Sequence, residues 1–380
     1  MPINNNYRIC TNCVMDNTDP LIVFDEKGIC NRCNDFYKNI LPKWNYGKDK
    51  EDELAKIVEK IKNKGKGKKY DCILGLSGGL DSSYMLHVAV RELGLRPLVF
   101  HVDAGWDAPF AKDNIDRLTK KLGVDLKIET INWDEVRDFQ IAMFKSGVPH
   151  LDIPQDLAFV AVLDRYAVEN DIKFILNGGN ISTEVVVNPS SWGYWGTDMR
   201  HIKDILRRYG TIQMKTYPFT NIIKRKIIIP YIKGIRTVKL LNYMPYIKKD
   251  AESLLIREYG WQAYPQKHFE SILTKFIEGY WLPERFGFDI RKAQFSSLIL
   301  TGQMTREEDL EKLAQKPIPK EEASKLFEYV AAKLEISTQE LRNYFEMPLK
   351  FYNDYKNQKA IIDFGAKILK FLKVDMLVRH

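Results

Sequence analysis

The sequence predicts an α/β fold, a doubly wound parallel sheet preceded by a small cysteine-rich module and followed by a helical region. Three observations predict it. Four of the five cysteines lie within the first 33 residues. From Tyr70 onward, short β-rich runs alternate with helical stretches, which is the pattern of right-handed βαβ units. From about residue 250 to the end, the hydrophobic spacing is helical.

The cysteines of the first module have the spacing of a metal site. Two Cys-x-x-Cys pairs, 16 residues apart, are formed by Cys10, Cys13, Cys30 and Cys33. Four thiolates complete the tetrahedral coordination of Zn²⁺ and leave no open position. We therefore predict a structural zinc knuckle over residues 1–45, with an iron–sulfur cluster as the alternative. Cys72 lies in an apolar run and is interpreted as a buried strand residue.

The elements of the sheet follow in order after a charged helical connector over residues 46–69. The predicted strands are DCILGL, PLVFHVD, DLKIETIN and IKFILNGG, and helical stretches separate them. The sheet domain is placed at 70–250 and the helical region, which completes the substrate site, at 251–380. Ligands of such sheets bind at the carboxyl ends of the strands.

Composition and charge set broad limits on function. The 380 residues are 45% hydrophobic and 28% charged, which is ordinary for a soluble globular protein. The net charge of +8 suits anionic ligands such as nucleotides, nucleotide sugars or RNA, although many proteins carry it without such a partner. The N-terminus resembles no signal peptide, and the longest apolar runs are too short to span a membrane. We expect a cytoplasmic protein without membrane contact.

The loop after the first strand carries the strongest functional signal. It reads SGGLDSS and comprises Ser77, Gly78, Gly79, Leu80, Asp81, Ser82 and Ser83. Paired glycines let backbone N–H groups approach a ligand, and the following helix N-terminus favours an anion, so the loop predicts a phosphate site. A carboxylate in such a site suggests Mg²⁺ bound between Asp81 and a pyrophosphate or triphosphate; the alternative is a helix cap.

SGGLDSS resembles the PP-loop, SGGxDS, of the ATP pyrophosphatases, whose fold is of the adenine nucleotide alpha hydrolase-like type. The resemblance implies that ATP is the co-substrate and that the loop grips its β and γ phosphates. A substrate oxygen then attacks the α-phosphorus to give an adenylate. It also implies that the end of the second strand, His101 to Asp103, lies by the adenosine, and it makes Asp103 a candidate ATP ligand.

Two further segments supply candidate residues. The loop Asn177 to Asn180 and the following Glu184 stand at another strand end, so we expect Gly179 and Asn180 to face the substrate and Glu184 to be catalytic; an ordinary turn is the alternative. Further along the chain lies a cluster of basic and polar groups, which could neutralise the charge of a phosphorus transition state. The alternative is a solvated helix face. These groups are the catalytic candidate Lys267 and the substrate-binding candidates His268, Ser271, Lys275 and Arg291.

The cysteines also bear on which nucleophile attacks the adenylate. Sulfur transfer in this class commonly uses further cysteines, and none follows Cys72. Ammonia is therefore favoured over sulfur. A cysteine-type glutaminase would need its own reactive cysteine, so ammonia would come from a partner or from solution.

A longer resemblance covers most of the chain. Residues 10–33, SGGLDSS and residues 267–313 are similar to the N-acetyl sugar amidotransferases of the WbpG and PseA type, enzymes of surface polysaccharide biosynthesis. Membership implies that an acetamido group on a nucleotide-activated sugar becomes an acetamidino group while ATP gives AMP and pyrophosphate. It implies as partner a glutaminase pair like imidazole glycerol phosphate synthase, and no nucleic acid.

The sequence departs from these relatives in the third loop, which is more acidic in them and here reads NGGNISTE. The alternative function is a tRNA-modifying PP-loop enzyme, which the positive charge and the knuckle would also suit. A scaffold that only binds nucleotide is a third interpretation.

Overall fold

Five parallel strands form the central sheet in a computed structural model that describes residues 7–44 and 47–371. They are β1 (Cys72–Gly75), β2 (Pro97–Asp103), β3 (Leu126–Thr130), β4 (Phe174–Leu176) and β5 (Arg236–Val238). The strand order is β3-β2-β1-β4-β5, and every neighbouring pair is parallel. The order reverses beside β1, where a doubly wound sheet opens its ligand crevice. The predicted fold class is confirmed.

The edge strand β5 was not among the predicted strands. It has only three residues, and Arg236 and Thr237 on it are exposed. A strand at the sheet edge needs no continuous apolar run, so hydrophobic periodicity does not reveal it. Its effect is to carry the chain to the carboxyl edge of the sheet a fifth time, just before residues 239–248.

Helices surround the sheet. Those before residue 210 are α1 (Asn31–Asp35), α2 (Lys48–Lys64), α3 (Leu80–His87), α4 (Pro109–Leu122), α5 (Trp133–Ser146), α6 (Ile153–Glu169), α7 (Ile181–Glu184) and α8 (Met199–Tyr209). The predicted connector corresponds to α2, and its boundary at residues 45 and 46 lies outside the described residues.

The later helices make up most of the C-terminal region. They are α9 (Lys248–Tyr259), α10 (Ile272–Phe276), α11 (Leu282–Phe286), α12 (Arg291–Leu300), α13 (Arg306–Leu313), α14 (Lys320–Lys333), α15 (Thr338–Glu346) and α16 (Lys359–Phe371). Shorter 3₁₀ and π segments are Phe36–Ile40, Leu41–Lys43, Val88–Glu92, Lys224–Ile232, Leu240–Tyr243, Ile277–Trp281 and Tyr352–Asp354. Within the described ranges, no helix is long and apolar enough to cross a bilayer.

Two apolar clusters cover the two faces of the sheet, because successive strand side chains point to opposite faces. Ile73 and Phe100 belong to one cluster, and Leu74 and Val99 belong to the other. The first cluster also contains Phe276, Trp281, Phe327 and Leu341 from the C-terminal helices. The C-terminal region therefore shares a core with the sheet, and its side chains are held in fixed positions against the strand ends.

The cysteine-rich module is anchored to the C-terminal region. Val14 N donates to Ser296 Oγ at 3.2 Å, and Lys292 Nζ donates to Asp16 at 2.5 Å. Arg306 donates to the carbonyl oxygens of Cys10 and Cys13 at 2.9 and 3.1 Å. The module therefore packs on α12 and α13, which are more than 270 residues away along the chain.

Candidate active site

The loop between β1 and α3 has a backbone that only glycine allows. Gly78 has φ of +80°, and a Cβ there would lie 2.5 Å from the carbonyl oxygen of Ala111. Ser77 Oγ accepts from Gly79 N at 3.2 Å and lies 3.1 Å from Ser82 Oγ, so the loop side chains brace one another. The loop therefore places N–H groups and hydroxyls at the start of a helix, where an anion is favoured.

Aromatic residues of the C-terminal region support this loop. Trp261 Nε1 donates to Gly78 O at 3.2 Å, and Leu80 N donates to Tyr264 OH at 3.0 Å. Ser77 Oγ donates to Glu270 Oε1 at 3.3 Å, which brings a carboxylate to the rim. Contacts across some 185 residues of sequence therefore hold the loop conformation.

Three predicted catalytic residues meet beside the loop. Lys267 Nζ donates to Asp81 Oδ2 at 2.6 Å and to Glu184 Oε1 at 2.5 Å. Burial by itself raises the pKa of Asp81, but the charge and hydrogen bond of Lys267 outweigh it and the pKa is lowered. Burial lowers the pKa of Lys267, and the two carboxylates more than reverse this, so its pKa is raised. Asp81 and Lys267 are therefore both charged at neutral pH.

The third loop packs directly on the first. A Cβ on Gly178 would lie 2.9 Å from the carbonyl carbon of Asp81, which explains the glycine. Asn180 caps α7 by accepting from Thr183 N at 2.8 Å, and its Nδ2 donates to Asp81 Oδ1 at 3.2 Å. Gly179 is held by a 2.7 Å hydrogen bond to Asn177 Oδ1. The loop therefore braces Asp81, and its contact with a substrate stays a prediction.

Sequence reasoning missed three side chains on the segment after β5, the buried Tyr246 and the half-buried Lys239 and Lys248. Tyr246 OH donates to Asp81 Oδ1 at 2.5 Å. Lys239 and Lys248 lie near the same charges, and burial lowers the pKa of both. The only available signal was a position after a strand, and that strand was itself missed.

The end of β2 also contributes to the site. His101 Nδ1 donates to Leu76 O at 2.8 Å, and Nε2 lies 2.9 Å from Asp107 Oδ2. Burial lowers the pKa of His101, but Asp107 outweighs it and the pKa is raised. Asp103 is paired with Lys112 at 2.8 Å, so its carboxylate is already engaged.

Two adjoining cavities open at this edge of the sheet. The larger, about 460 Å³, is lined by Ser77, His101 and apolar residues of α6 such as Phe159 and Leu163. The smaller, about 260 Å³, contains Lys239 and Lys267. Among the substrate-binding candidates, Asn180 lines the smaller cavity, Ser271 the larger and His268 both.

The other predicted contacts line neither cavity: Gly78, Gly79, Asp81, Ser82, Asp103, Gly179, Ser83, Lys275 and Arg291. The last three of these are taken up elsewhere in the fold. Lys275 forms an ion pair with Glu322 on α14. Arg291 donates to Asp289 and to the carbonyl oxygens of Lys312 and Gln315, so its guanidinium holds the chain together. Ser83 is fully buried within α3. The sequence did not show that Lys275 and Arg291 would be engaged by other parts of the chain.

The four knuckle cysteines fit a metal ion. All four are buried, and their Sγ atoms lie within 4.8 Å of one another. Cys10 Sγ accepts from the backbone N atoms of Cys13 and Cys30 at 3.4 and 3.2 Å, which stabilises thiolate charge. Four converging sulfur atoms are the donor set of a closed tetrahedral site. The cluster can therefore hold a structural metal.

Magnesium would have a different type of site. In the described part of the chain, the knuckle alone brings three or more metal-binding side chains together. Asp81 and Glu184 form a carboxylate pair around Lys267. Because Mg²⁺ is commonly held by one or two carboxylates together with substrate phosphates and water, this pair fits an ion that arrives with a nucleotide.

Two family models match the chain. The phosphoadenosine phosphosulfate reductase domain matches residues 71–150. The C-terminal domain of WbpG-like lipopolysaccharide biosynthesis proteins matches residues 270–369. One match therefore covers the phosphate-binding loop, and the other covers the helices that close the site around it.

Similar proteins were also found among curated sequences and solved structures. An uncharacterized protein of Methanocaldococcus jannaschii is 34% identical over 141 residues, which are 37% of this chain and 48% of that one. The chain thus spans about half the length of this relative. The NH3-dependent NAD synthetase of Campylobacter jejuni is 17% identical, with 79% of this chain and 98% of that chain covered and a TM-score of 0.30. The U34-tRNA thiolase NcsA of Methanococcus maripaludis is 15% identical, with 90% of both chains covered and a TM-score of 0.35.

Proposed function

We propose that this chain, a WbpG-like PP-loop protein, is an ATP-dependent and AMP-forming amidotransferase. It converts an acetamido group on a nucleotide-activated sugar into an acetamidino group during the biosynthesis of surface polysaccharide such as the O-antigen of lipopolysaccharide. One observation carries the proposal: the phosphate-binding loop and the segment before the WbpG-like C-terminal domain meet at one site. The loop SGGLDSS is closed by Lys267 from the segment that leads into the WbpG-like C-terminal domain.

The first step is adenylation of the amide oxygen. An amide oxygen is a poor leaving group until it carries phosphate. The loop around Gly78 offers N–H groups to the leaving pyrophosphate, and the buried charge of Lys267 stabilises negative charge that develops on phosphorus. Asp81 and Glu184 would hold Mg²⁺, which supplies charge neutralisation for the phosphate oxygens when it is bound.

The two cavities support separate places for the two substrates. The apolar side of the larger cavity, with Phe159 and Leu163, suits adenosine beside the strand ends. The smaller cavity offers Lys239 and Lys267 to an anion, which suits the diphosphate of a nucleotide sugar. His268 and Asn188 line both cavities, so the acetamido group would meet the α-phosphate at their junction.

The nucleophile of the second step is ammonia supplied by a partner. The chain has five cysteines, four in the knuckle and Cys72 buried in β1, so none is free to act as a glutaminase nucleophile or a persulfide carrier. This favours amination over the sulfur transfer of a tRNA-modifying enzyme. The partner is a glutaminase and cyclase-like pair, the setting is the cytoplasm, and the knuckle metal is Zn²⁺, the usual ion of four thiolates.

The test is incubation with ATP, ammonium and a panel of diacetamido nucleotide sugars. The expected products are AMP, pyrophosphate and a sugar in which NH has replaced O, identified by mass spectrometry. Release of ADP, or a sulfur-containing product from tRNA, would contradict the proposal. Genes for sugar-nucleotide enzymes and a glutaminase pair beside this gene would support it independently.

A further inference from the structure

The larger cavity is rich in acidic side chains. Five carboxylates line the cavity as a whole, from Asp107, Asp152, Asp156, Glu270 and Glu278. Among the described residues of its lining there is no lysine or arginine, and the basic groups are three histidines. The part of the cavity lined by Asp152, Asp156 and Glu278 therefore repels phosphate and is unsuited to either anionic substrate.

Two of these carboxylates, Glu270 and Glu278, each have a buried oxygen without a hydrogen-bond partner among the described residues. Glu278 is 7% exposed and accepts from His268 Nδ1 at Oε1, at a distance of 3.0 Å. Its other oxygen, Oε2, is buried and has no hydrogen-bond partner among the described residues. A buried carboxylate oxygen without a donor is costly, and such groups are retained where a ligand supplies the donor.

Helix α6 supplies two more carboxylates. Asp152 precedes its first residue, and Asp156 lies one turn further, so both lie on the same side of the helix. Asp152 Oδ1 accepts from Gln155 Nε2 at 2.8 Å and from Thr274 Oγ1 at 2.9 Å, which fixes its orientation. The carboxylate of Asp156 has no hydrogen-bond partner in the described part of the chain and is open to the cavity.

The surroundings of these acidic residues shift their pKa values. Burial, together with the charges of Asp156 and Glu278, raises the pKa of Asp152 to about 8. Asp156 is partly exposed at the cavity, but the loss of solvation there still raises its pKa to about 6; the charge of His268 opposes this shift and that of Glu278 adds to it. Burial lowers the pKa of His268, but Glu278 outweighs it and the pKa is raised to about 9. A further cation would relieve the remaining repulsion among the three carboxylates.

We propose that Asp152, Asp156 and Glu278 form a subsite for a cationic nitrogen group, namely the ammonium ion that enters the reaction and the amidinium group that leaves it. The assignment rests on the proposed function, because that reaction consumes ammonium and produces an amidinium group. Ammonium offers four N–H donors and amidinium is a planar cation with parallel N–H bonds, and both match carboxylates that lack donors. His268 lines this cavity and the lysine-lined one, so the subsite adjoins the predicted position of the acetamido carbon.

The subsite also accounts for the protons of the amination step. Ammonium transfers one proton to a carboxylate, and the nitrogen lone pair of ammonia attacks the carbon of the O-adenylated amide. The bond between that carbon and the adenylate oxygen breaks, and AMP leaves with the electron pair. The product is a cationic amidinium, whose charge the same carboxylates balance. Asp156, whose pKa is raised to about 6, is still ionised near neutral pH and can accept the proton, whereas Asp152, whose pKa is raised to about 8, already carries one.

The test is direct binding to the full-length, zinc-loaded protein without ATP or sugar. Calorimetric titrations with ammonium chloride and with acetamidinium chloride are compared with sodium chloride at equal ionic strength. We expect Glu278→Gln and Asp156→Asn each to weaken binding at least about 10-fold, the effect of losing one charged partner worth 1.4 kcal/mol. The matched control Glu284→Gln removes an exposed carboxylate paired with Lys316 and should bind like the wild type.

The outcomes separate this inference from the proposed reaction. Binding of ammonium assigns the subsite to the entering nucleophile, and binding of acetamidinium assigns it to the leaving product; either supports the inference. No binding beyond that of sodium, or unchanged affinity in both Glu278→Gln and Asp156→Asn, would overturn it. Asp156→Asn breaks no internal hydrogen bond, so misfolding would not explain its result. The absence of AMP in the reaction assay would instead refute the proposed function and leave these titrations unaffected.

Discussion

Lys267 Nζ lies 2.6 Å from Asp81 Oδ2, and this ion pair joins the C-terminal region to the phosphate-binding loop. Both side chains are largely buried, so their attraction is only weakly screened by solvent. The pair explains why a loop motif and a motif almost 190 residues later act together. It also makes the carboxylate of Asp81 the first target for testing the site.

Replacing Asp81 by Asn should abolish adenylation while the fold is retained. The amide keeps the shape and one acceptor, but it removes the charge that would hold Mg²⁺. We expect AMP formation to fall at least about 100-fold, the typical cost of losing one group that stabilises the transition state. The measurement is chromatography of the nucleotide products, with circular dichroism for the fold. Asp116→Asn, which alters an exposed pair with Lys120, is the matched control. Near-normal turnover in Asp81→Asn would refute the assigned role.

Replacing Gly78 by Ala should impair ATP binding. The left-handed backbone costs an alanine about 1–2 kcal/mol, and its Cβ would also press on Ala111. Gly67 has nearly the same φ, +77°, with no atom within 4 Å of an added Cβ. Gly67→Ala should therefore lose only the backbone part of this stability in urea unfolding and keep the wild-type KM for ATP. Equal KM values for the two variants would show that the loop does not contact the nucleotide.

Removing the knuckle metal should destabilise the chain and reduce turnover. The knuckle packs against Val185 and Val186, which directly follow Glu184 in α7, so disorder in it would reach the catalytic carboxylate. Cys30→Ser should lose zinc, measured by elemental analysis, and more than about 2 kcal/mol of unfolding free energy. Cys72→Ala should keep its zinc, because Cys72 lies in β1 outside the cluster. Full zinc content in Cys30→Ser would contradict the four-thiolate site.

The acidic cavity should lower stability at alkaline pH. Because the pKa of Asp152 is raised to about 8 in the folded protein, the folded state keeps a proton that the unfolded chain releases near pH 4. Stability contributed by this group therefore decreases as pH rises from about 4 to about 8. Asp152→Asn keeps the Oδ1 acceptor and should be more stable than wild type by over about 1 kcal/mol at pH 8.5, with little difference at pH 4. Urea titrations at both pH values measure this; a variant less stable than wild type at pH 8.5 would contradict the burial argument.

Local chemistry explains which features the sequence could predict. The chemistry of SGGLDSS and of the paired Cys-x-x-Cys motifs depends on residues close together in sequence, so the loop and the knuckle were predictable. Four of the strands were predictable from their apolar runs. Contacts decided the rest. Tyr246 acquires its role from a hydrogen bond to Asp81, and the acidic cavity forms only when α6 meets the segment around Glu278.

The sequence did not reveal which basic residues would pair with other parts of the chain. Lys275 and Arg291 are basic residues of the kind that binds anions. Each instead forms an ion pair within the chain, Lys275 with Glu322 and Arg291 with Asp289. No pattern in a single sequence distinguishes a cation that faces a ligand from one that faces another helix. By contrast, Lys267 and His268 face the site because the chain between α9 and α10 crosses the carboxyl edge of the sheet.

The most direct test of the central claim, that the amide oxygen is adenylated before amination, is an isotope transfer. The substrate sugar is prepared with ¹⁸O in its acetamido carbonyl and incubated with ATP and ammonium, and the nucleotide product is examined by mass spectrometry. The account predicts AMP that carries the ¹⁸O in its phosphate. Unlabelled AMP, or ADP with the label in inorganic phosphate, would contradict it.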